Sequence, residues 1–133
     1  MIDFSAIENE ILDICTGAHS FKSSLAGRIR EVIPNSEMPS CDVACTEHEG
    51  AQRAGYEDAK SGVMIVIRCS HMKRTTAENN LKIILEKLRA ALETSGKGTS
   101  FCVLRDITSR ATDDPEGEGS PVRVGIITLL ALT

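Results

Sequence analysis

The chain has 133 residues, a net charge of −4 and a hydrophobic content of 41%, which suits one domain with one core. Aromatic residues make up only 3% of it and tryptophan is absent, so little surface remains for stacking on bases or sugars. The acidic balance argues against nonspecific DNA binding and against an anionic membrane surface, because both depend on clustered Lys and Arg. The sequence shows neither the long apolar run of a transmembrane helix nor the pattern of a signal peptide. We therefore expect a single domain, residues 1–133, that stays in the cytoplasm of the cell making it.

The cysteines form an odd, scattered set, which is not typical of a disulfide framework. We expect reduced thiols that serve as small apolar side chains. The five are Cys15, Cys41, Cys45, Cys69 and Cys102.

Two amphipathic stretches open the chain. Ser5 and Glu8 have the spacing of a capping box, in which each side chain serves a free N–H at the start of a helix. Apolar residues then recur at helical spacing in two groups: Ile7, Ile11, Ile14 and Ala18; and Phe21, Leu25, Ile29, Val32 and Ile33. The pattern predicts N-terminal helical segments, and Gly17 with Ser20 favours two helices over one bent helix.

The middle of the chain alternates short apolar runs with a polar segment. We expect a short strand over residues 41–46 and a central strand at Val63–Ile67, which is β-branched and apolar on both faces. Residues 47–62 between them are polar and broken by glycines, so they indicate a long loop.

The second half contains the clearest helix. Thr75 and Glu78 form another possible capping box, and an apolar stripe follows at helical spacing. The stripe comprises Ala77, Leu81, Ile84, Leu85, Leu88 and Leu92. Two strands, residues 101–109 and 122–132, close the chain around an acidic segment broken by Gly and Pro. The predicted fold is α+β: a small mixed or antiparallel sheet of about four strands, with a long helix (about 76–95) on one face and N-terminal helical segments.

Thiolates and imidazoles are the usual ligands of zinc, but the spacing of the Cys and His residues argues against a zinc site. Cys41 and Cys45 would lie roughly 13 Å apart along a strand, too far to share one ion. Cys69 and His71 share a strand face and remain weak metal-ligand candidates. Buried thiols and surface imidazoles are the alternative.

The sequence contains no pattern typical of catalysis. No serine lies in a nucleophile elbow, and no Cys–His pair has a recognisable local signature. The stretch Gly96–Ser100 resembles a phosphate loop, but it follows a helix instead of opening one. The acidic segment lacks the ligand order of an EF-hand. We predict no enzyme activity and no cofactor.

Two polar, glycine-rich loops remain, at residues 47–62 and 112–120. Protruding loops on a small rigid body commonly serve assembly, and simple disorder is the alternative. We predict a subunit or tube interface in the first loop and a lumen or partner contact in the second. The candidates are Glu47, Glu49, Arg53, Tyr56, Glu57 and Asp58 in the first, and Asp113, Asp114, Glu116 and Glu118 in the second.

The order of elements over nearly the whole chain resembles the tail terminator, or tail-completion, proteins of long-tailed bacteriophages, including minor tail proteins. The residues that carry the resemblance are the helix from Ile7, the strand entry Met38–Val43, a long segment, the unit Val63–Ile67 followed by Ala77–Leu92, and two closing strands. The stretch Phe21–Ile33 departs from the shorter members of that family.

The resemblance implies a structural virion protein without catalytic residues. Such proteins form a homo-oligomeric ring, usually a hexamer, that caps the head-proximal end of the tail tube and ends its polymerisation. The partners would be the tail tube protein and the neck or head-completion proteins, with no membrane involved. The location would be the virion tail or neck after assembly in the host cytoplasm.

Carboxylates of the acidic segment would repel DNA, which suits a lumen through which DNA passes without specific binding. The alternatives are another phage head-completion or neck connector, and a small cytoplasmic Cys/His metal-binding module.

Overall fold

A computed structural model describes residues 4–53, 56–95, 103–113 and 122–132. Helix α1 is followed by strand β1, a 3-10 turn at Asn35–Glu37, strands β2 and β3, helix α2, and strands β4 and β5. Their bounds are α1 Phe4–Ala18, β1 Ser23–Ala26, β2 Ser40–Arg53, β3 Tyr56–Ser70, α2 Arg74–Ser95, β4 Val103–Asp113 and β5 Val122–Leu132.

The described strands form one mixed sheet of five strands in the order β1-β2-β3-β5-β4. β1 runs parallel to β2, and the other neighbours are antiparallel. The central position of β3 agrees with its apolar sequence on both faces. The α+β class is confirmed, with one more strand than predicted.

Both helices pack on the same face of the sheet and bury an aliphatic core. The predicted stripe of α2 is at most 7% exposed along its length, from Ala77 to Leu92. It meets Ile65 and Ile67 of β3 and Ile127 of β5, while Ile7 and Ile11 of α1 extend the same cluster. The long helix and its packing are therefore confirmed.

The predicted second helix at Phe21–Ile33 is wrong. Residues 23–26 instead form β1, whose backbone pairs with the start of β2. The Gly27 N–H then donates a hydrogen bond to the Val43 carbonyl at 2.8 Å. Gly27 has a φ of +114, which lies outside the right-handed helical region, so a helix cannot continue through it. We call residues 27–39 the strap. Its Ile29 and Ile33 pack against the sheet face opposite the helices, so the helical spacing of these residues is incidental.

The two predicted capping boxes do not start the helices. α1 begins at Phe4, which puts Ser5 inside the helix, and α2 begins at Arg74, before Thr75. A carboxylate oxygen of Glu8 instead accepts a hydrogen bond from the Cys45 N–H at 2.9 Å. Glu8 thus serves the sheet and not its own helix.

The predicted long loop at residues 47–62 is also wrong, because β2 and β3 continue through it. Their antiparallel register runs without interruption from the Glu47–Gly62 pair to the Arg53–Tyr56 pair. The backbone groups of a polar segment can be satisfied by the cross-strand ladder, so low hydrophobicity does not prevent strand formation here.

Candidate assembly surface

The far end of the β2–β3 hairpin projects from the sheet. We call Glu47–Arg53 and Tyr56–Lys60 the arm. β1 accompanies β2 only as far as Val43, and β5 accompanies β3 only as far as Lys60. Four further residue pairs, Gly50–Ala59 to Arg53–Tyr56, have only each other as strand neighbours among the described residues. At about 3.3 Å per residue, this part extends on the order of 13 Å beyond the sheet.

The first set of predicted interface residues lies along this arm. Glu47, Glu49 and Arg53 belong to β2, and Tyr56, Glu57 and Asp58 belong to β3. The register places Arg53 opposite Tyr56, and it places Glu49 opposite Lys60. The fold therefore collects all six on one projecting ribbon, and their role in an interface stays a prediction.

Of the second predicted set, the structure describes Asp113, which lies at the opposite end of the sheet. Asp113 ends β4 opposite Arg123, and Val122 begins β5 opposite Ser70. Asp114, Glu116 and Glu118 lie outside the described residues. β3 runs from the arm to this end, so the two ends are separated by on the order of 45 Å.

The base of the arm is fixed by a β-bulge and by helix α1. The β2–β3 register shifts between Cys45 and Glu47, and such bulges bend and twist a strand pair. At the same point the buried Glu8 carboxylate holds the Cys45 N–H. The direction in which the arm leaves the sheet is therefore set by contacts with the core.

A buried ion pair network fixes the strap to the opposite face of the sheet. Asp42 on β2 is fully buried, and its carboxylate accepts bonds from Arg30 Nε at 2.9 Å and from Arg68 Nη1 at 3.2 Å. The Arg30 backbone N–H adds a third bond at 3.1 Å. Arg68 Nη2 in turn donates to the Arg30 carbonyl at 2.7 Å. Because the carboxylate is bonded to both strap and sheet, it determines where the strap lies.

Sequence reasoning did not identify this network. The available signal was a charged residue within an apolar strand, Asp42, together with Arg68 on a second predicted strand. A buried acid requires a basic partner. Arg30 could be identified as that partner only once the path of the strap was known.

The weak metal candidates Cys69 and His71 have different surroundings. Cys69 belongs to the helix-side core, and burial raises the pKa of its thiol to about 11. His71 is exposed, and its Nδ1 accepts a hydrogen bond from the Lys73 N–H at 3.0 Å. In the described parts of the chain, no three His, Cys, Asp or Glu residues are grouped so that they could hold a metal ion.

Two other thiols contact each other inside the core. Cys15 on α1 and Cys41 on β2 are both fully buried. Their mutual hydrogen bond, followed by burial, raises the pKa of the Cys41 thiol. A thiol held protonated in this way acts as a small apolar side chain, as predicted from the sequence.

A shallow groove of about 230 Å³ lies between the end of α1, the end of β3 and α2. Its lining residues are His19, Pro39, Cys69, Ser70, Asn80, Ile83 and Ile84. Burial, and secondarily the charge of Lys87, lowers the pKa of His19, which favours a neutral imidazole. Its lining includes no residue of either predicted interface set.

No family model and no curated protein matches the chain. Among solved structures, it is similar to a chain of the "Virion of native gene transfer agent (GTA) particle". The two are 10% identical, the match covers 96% of each chain, and the TM-score is 0.49. A similarity at that level carries no argument about function. None of the described helices has the length and apolar character needed to cross a membrane.

Proposed function

We propose that this protein is a non-enzymatic structural protein of a phage-like virion, and specifically a tail terminator. In this role it forms a ring, predicted to contain six copies, at the head-proximal end of the tail tube. The observation that carries the proposal is the arm, a strand ribbon that leaves a well-packed body and whose outer four residue pairs have no other strand neighbour among the described residues.

The order of the elements supports the proposal. A leading helix, a strand that begins near Met38–Val43, a central strand joined to a long helix and two closing strands follow one another in the order of the resemblance noted above. The long segment between the first and central strands of that order is the part that forms the arm. The segment that departs from the shorter members of that family is the one that folds as β1 and the strap.

The geometry suits a cap between two other assemblies. The arm lies at one end of the sheet, and β4 ends and β5 begins at the other end, on either side of the acidic segment in the sequence. A ring of such subunits would offer different contacts to the tube below and the neck above. The carboxylates of the acidic segment would repel the DNA that passes through the lumen.

A tube-polymerisation assay tests this function directly. The purified protein would be added to the tail tube protein encoded beside its gene, and tube lengths and tube ends would be measured by electron microscopy. We expect shorter tubes, each with a ring of this protein at one end. Tubes of unchanged length without bound protein would contradict the proposal.

A variant of the acidic segment tests the role proposed for the second predicted set. Deletion of residues 113–119 should leave folding intact and impair joining to the neck or head. Its control keeps the length of the segment and replaces Asp113, Asp114, Glu116 and Glu118 by Asn or Gln. Loss of joining in both variants would show that the charges are needed, and normal infectivity in both would show that the segment has no role in the interface.

A further inference from the structure

Among the described residues, no strand pairs with the outer edge of β4. β4 is the last strand of the sheet, and it pairs with β5 on its inner side. Beyond the irregularity between Arg105 and Thr108, its register runs evenly from Thr108 to Asp113. Residues 108–111 are all exposed, and β4 contains neither proline nor glycine. Such an edge presents unpaired N–H and C=O groups that can pair with another strand.

The other edge of the sheet is protected. β1 is only four residues long, and the strap follows it immediately. At the end of β1, the Gly27 N–H donates a hydrogen bond to the Val43 carbonyl, and just beyond β1 the Cys45 N–H donates one to the Glu8 carboxylate. Comparable protection of β4 is not found among the described residues, so the two edges differ in their capacity to accept a strand.

The outer part of the arm lacks a third strand among the described residues. A two-stranded ribbon is at best marginally stable in water, and a third strand gives it the neighbours it lacks. The arm portion of β2, Glu47–Arg53, is seven residues long, which matches the six-residue regular stretch Thr108–Asp113 of β4.

The positions of these two edges favour a head-to-tail contact. β4 closes one side of the sheet, whereas β2 lies toward the other side. A contact between unlike surfaces of identical subunits leaves a free β4 edge on the first copy and a free arm on the last, and the series closes into a ring when the rotation allows. The charges of the arm and of the exposed stretch of β4 are opposite in sign. Four acidic and two basic residues give the arm a net charge of −2, and Arg110 is the charged residue within the exposed stretch 108–111 of β4.

We propose that the arm of one copy adds as a strand to the outer edge of β4 in a second copy of this chain. The proposal rests on the proposed function, because it specifies how the subunits of the ring join. The sheet then continues from one subunit to the next, and main-chain hydrogen bonds supply much of the contact.

Cysteine cross-linking between two variants tests the contact. Gln52→Cys and Ser109→Cys would be purified separately, mixed in equal amounts and oxidised, both in solution and on tail tubes. We expect a covalent dimer that forms at least tenfold more in the mixture than in the wild-type protein treated alike, which controls for the native thiols. Ser24→Cys on β1 replaces Ser109→Cys in the matched control, and it should give no more dimer than the wild type.

A shortened arm provides the second measurement. Because Glu49 and Lys60 are paired, residues 50–59 can be replaced by Asn-Gly, a two-residue sequence that favours a tight hairpin. This variant should keep the melting temperature of the wild type within a few degrees and should lose rings on tubes. Retention of rings by the folded variant would overturn the proposal.

The outcomes separate the interface from the function. If the wild type caps tubes and the mixture gives no excess dimer, strand addition is wrong and the tail terminator function stands. If the excess dimer forms and tubes are never capped, the contact stands and the proposed function is wrong. Failure of both measurements overturns both.

Discussion

The body of the sheet and the arm are built from the same two strands but depend on different interactions. In the body, β3 lies between β2 and β5, and its Val63, Ile65 and Ile67 face the helices. In the outer four residue pairs of the arm, the same two strands continue with no third strand beside them among the described residues. The comparison indicates that the free energy of folding comes from the body, and that the sequence of the arm is free to serve contacts with other molecules.

The largest effect on folding is expected from a charge placed in the helix-side core. Leu85→Asp puts an unpaired carboxylate at a position that is 7% exposed, and it should destabilise the protein by more than about 4 kcal/mol. Circular dichroism should show loss of the cooperative melt. The control is Ile83→Asp on the same helix, where 50% exposure should allow a near-normal melt. Equal melting of both variants would show that the stripe is not buried.

Removal of the buried acid should have the next largest effect. Asp42→Ala leaves Arg30 and Arg68 without their common partner, at a cost of roughly 3 kcal/mol. Chemical denaturation would measure the change, and Asp42→Asn should fall between the wild type and the alanine variant. Asp13→Ala, at an exposed position, is the matched control. A loss similar to that of the control would mean that the strap is held by its apolar contacts alone.

A smaller loss is expected where β5 meets α2. A Cβ at Gly125 would lie 2.8 Å from Leu85 Cδ2 and 2.9 Å from Leu81 Cδ1. Gly125→Ala should therefore cost about 1–3 kcal/mol through overpacking. Gly17→Ala in α1 meets nothing within 4 Å and should instead stabilise by about 0.5 kcal/mol. Stabilisation by both substitutions would show that the two leucines move aside freely.

The smallest effect on folding is expected in the arm. Reversal of Glu57 and Asp58 to Lys should change stability by no more than about 0.5 kcal/mol and should weaken association between copies. Sedimentation velocity and ring counts on tubes would measure association. Asp13→Lys with Glu86→Lys changes the net charge equally at exposed positions outside the arm, and it should leave association unchanged. If the arm variant formed rings normally, the charges of Glu57 and Asp58 would not be needed for the contact between copies.

Local sequence patterns predicted the elements whose signal is contained within one segment. The stripe of α2 repeats over about four turns, so its buried face could be assigned without knowing what covers it. The apolar run Val63–Ile67 likewise identified the central strand, and the strand at residues 122–132 has the predicted bounds. In each case the residues that form the element also carry its hydrophobic signal.

The same reasoning failed where a distant partner determined the conformation. Leu25 and Ile29 have helical spacing, yet the backbone around them is bound by the Val43 carbonyl and by the Asp42 carboxylate. Glu8 has the position of a helix cap, yet it bonds Cys45, 37 residues further along the chain. For the candidate site, the sequence identified a polar protruding segment at residues 47–62 but described it as a loop.

By itself the sequence determined the α+β class, the long helix, the central strand and the polar character of both candidate surfaces. It could do so because burial of apolar side chains imposes a period on each element that is visible locally. Only the tertiary structure decided that residues 23–26 form a strand, that Asp42 ties the strap to the sheet, and that the polar segment continues as a paired arm. Those outcomes depend on hydrogen bonds and ion pairs between residues far apart in the chain, which leave no periodic trace in the sequence.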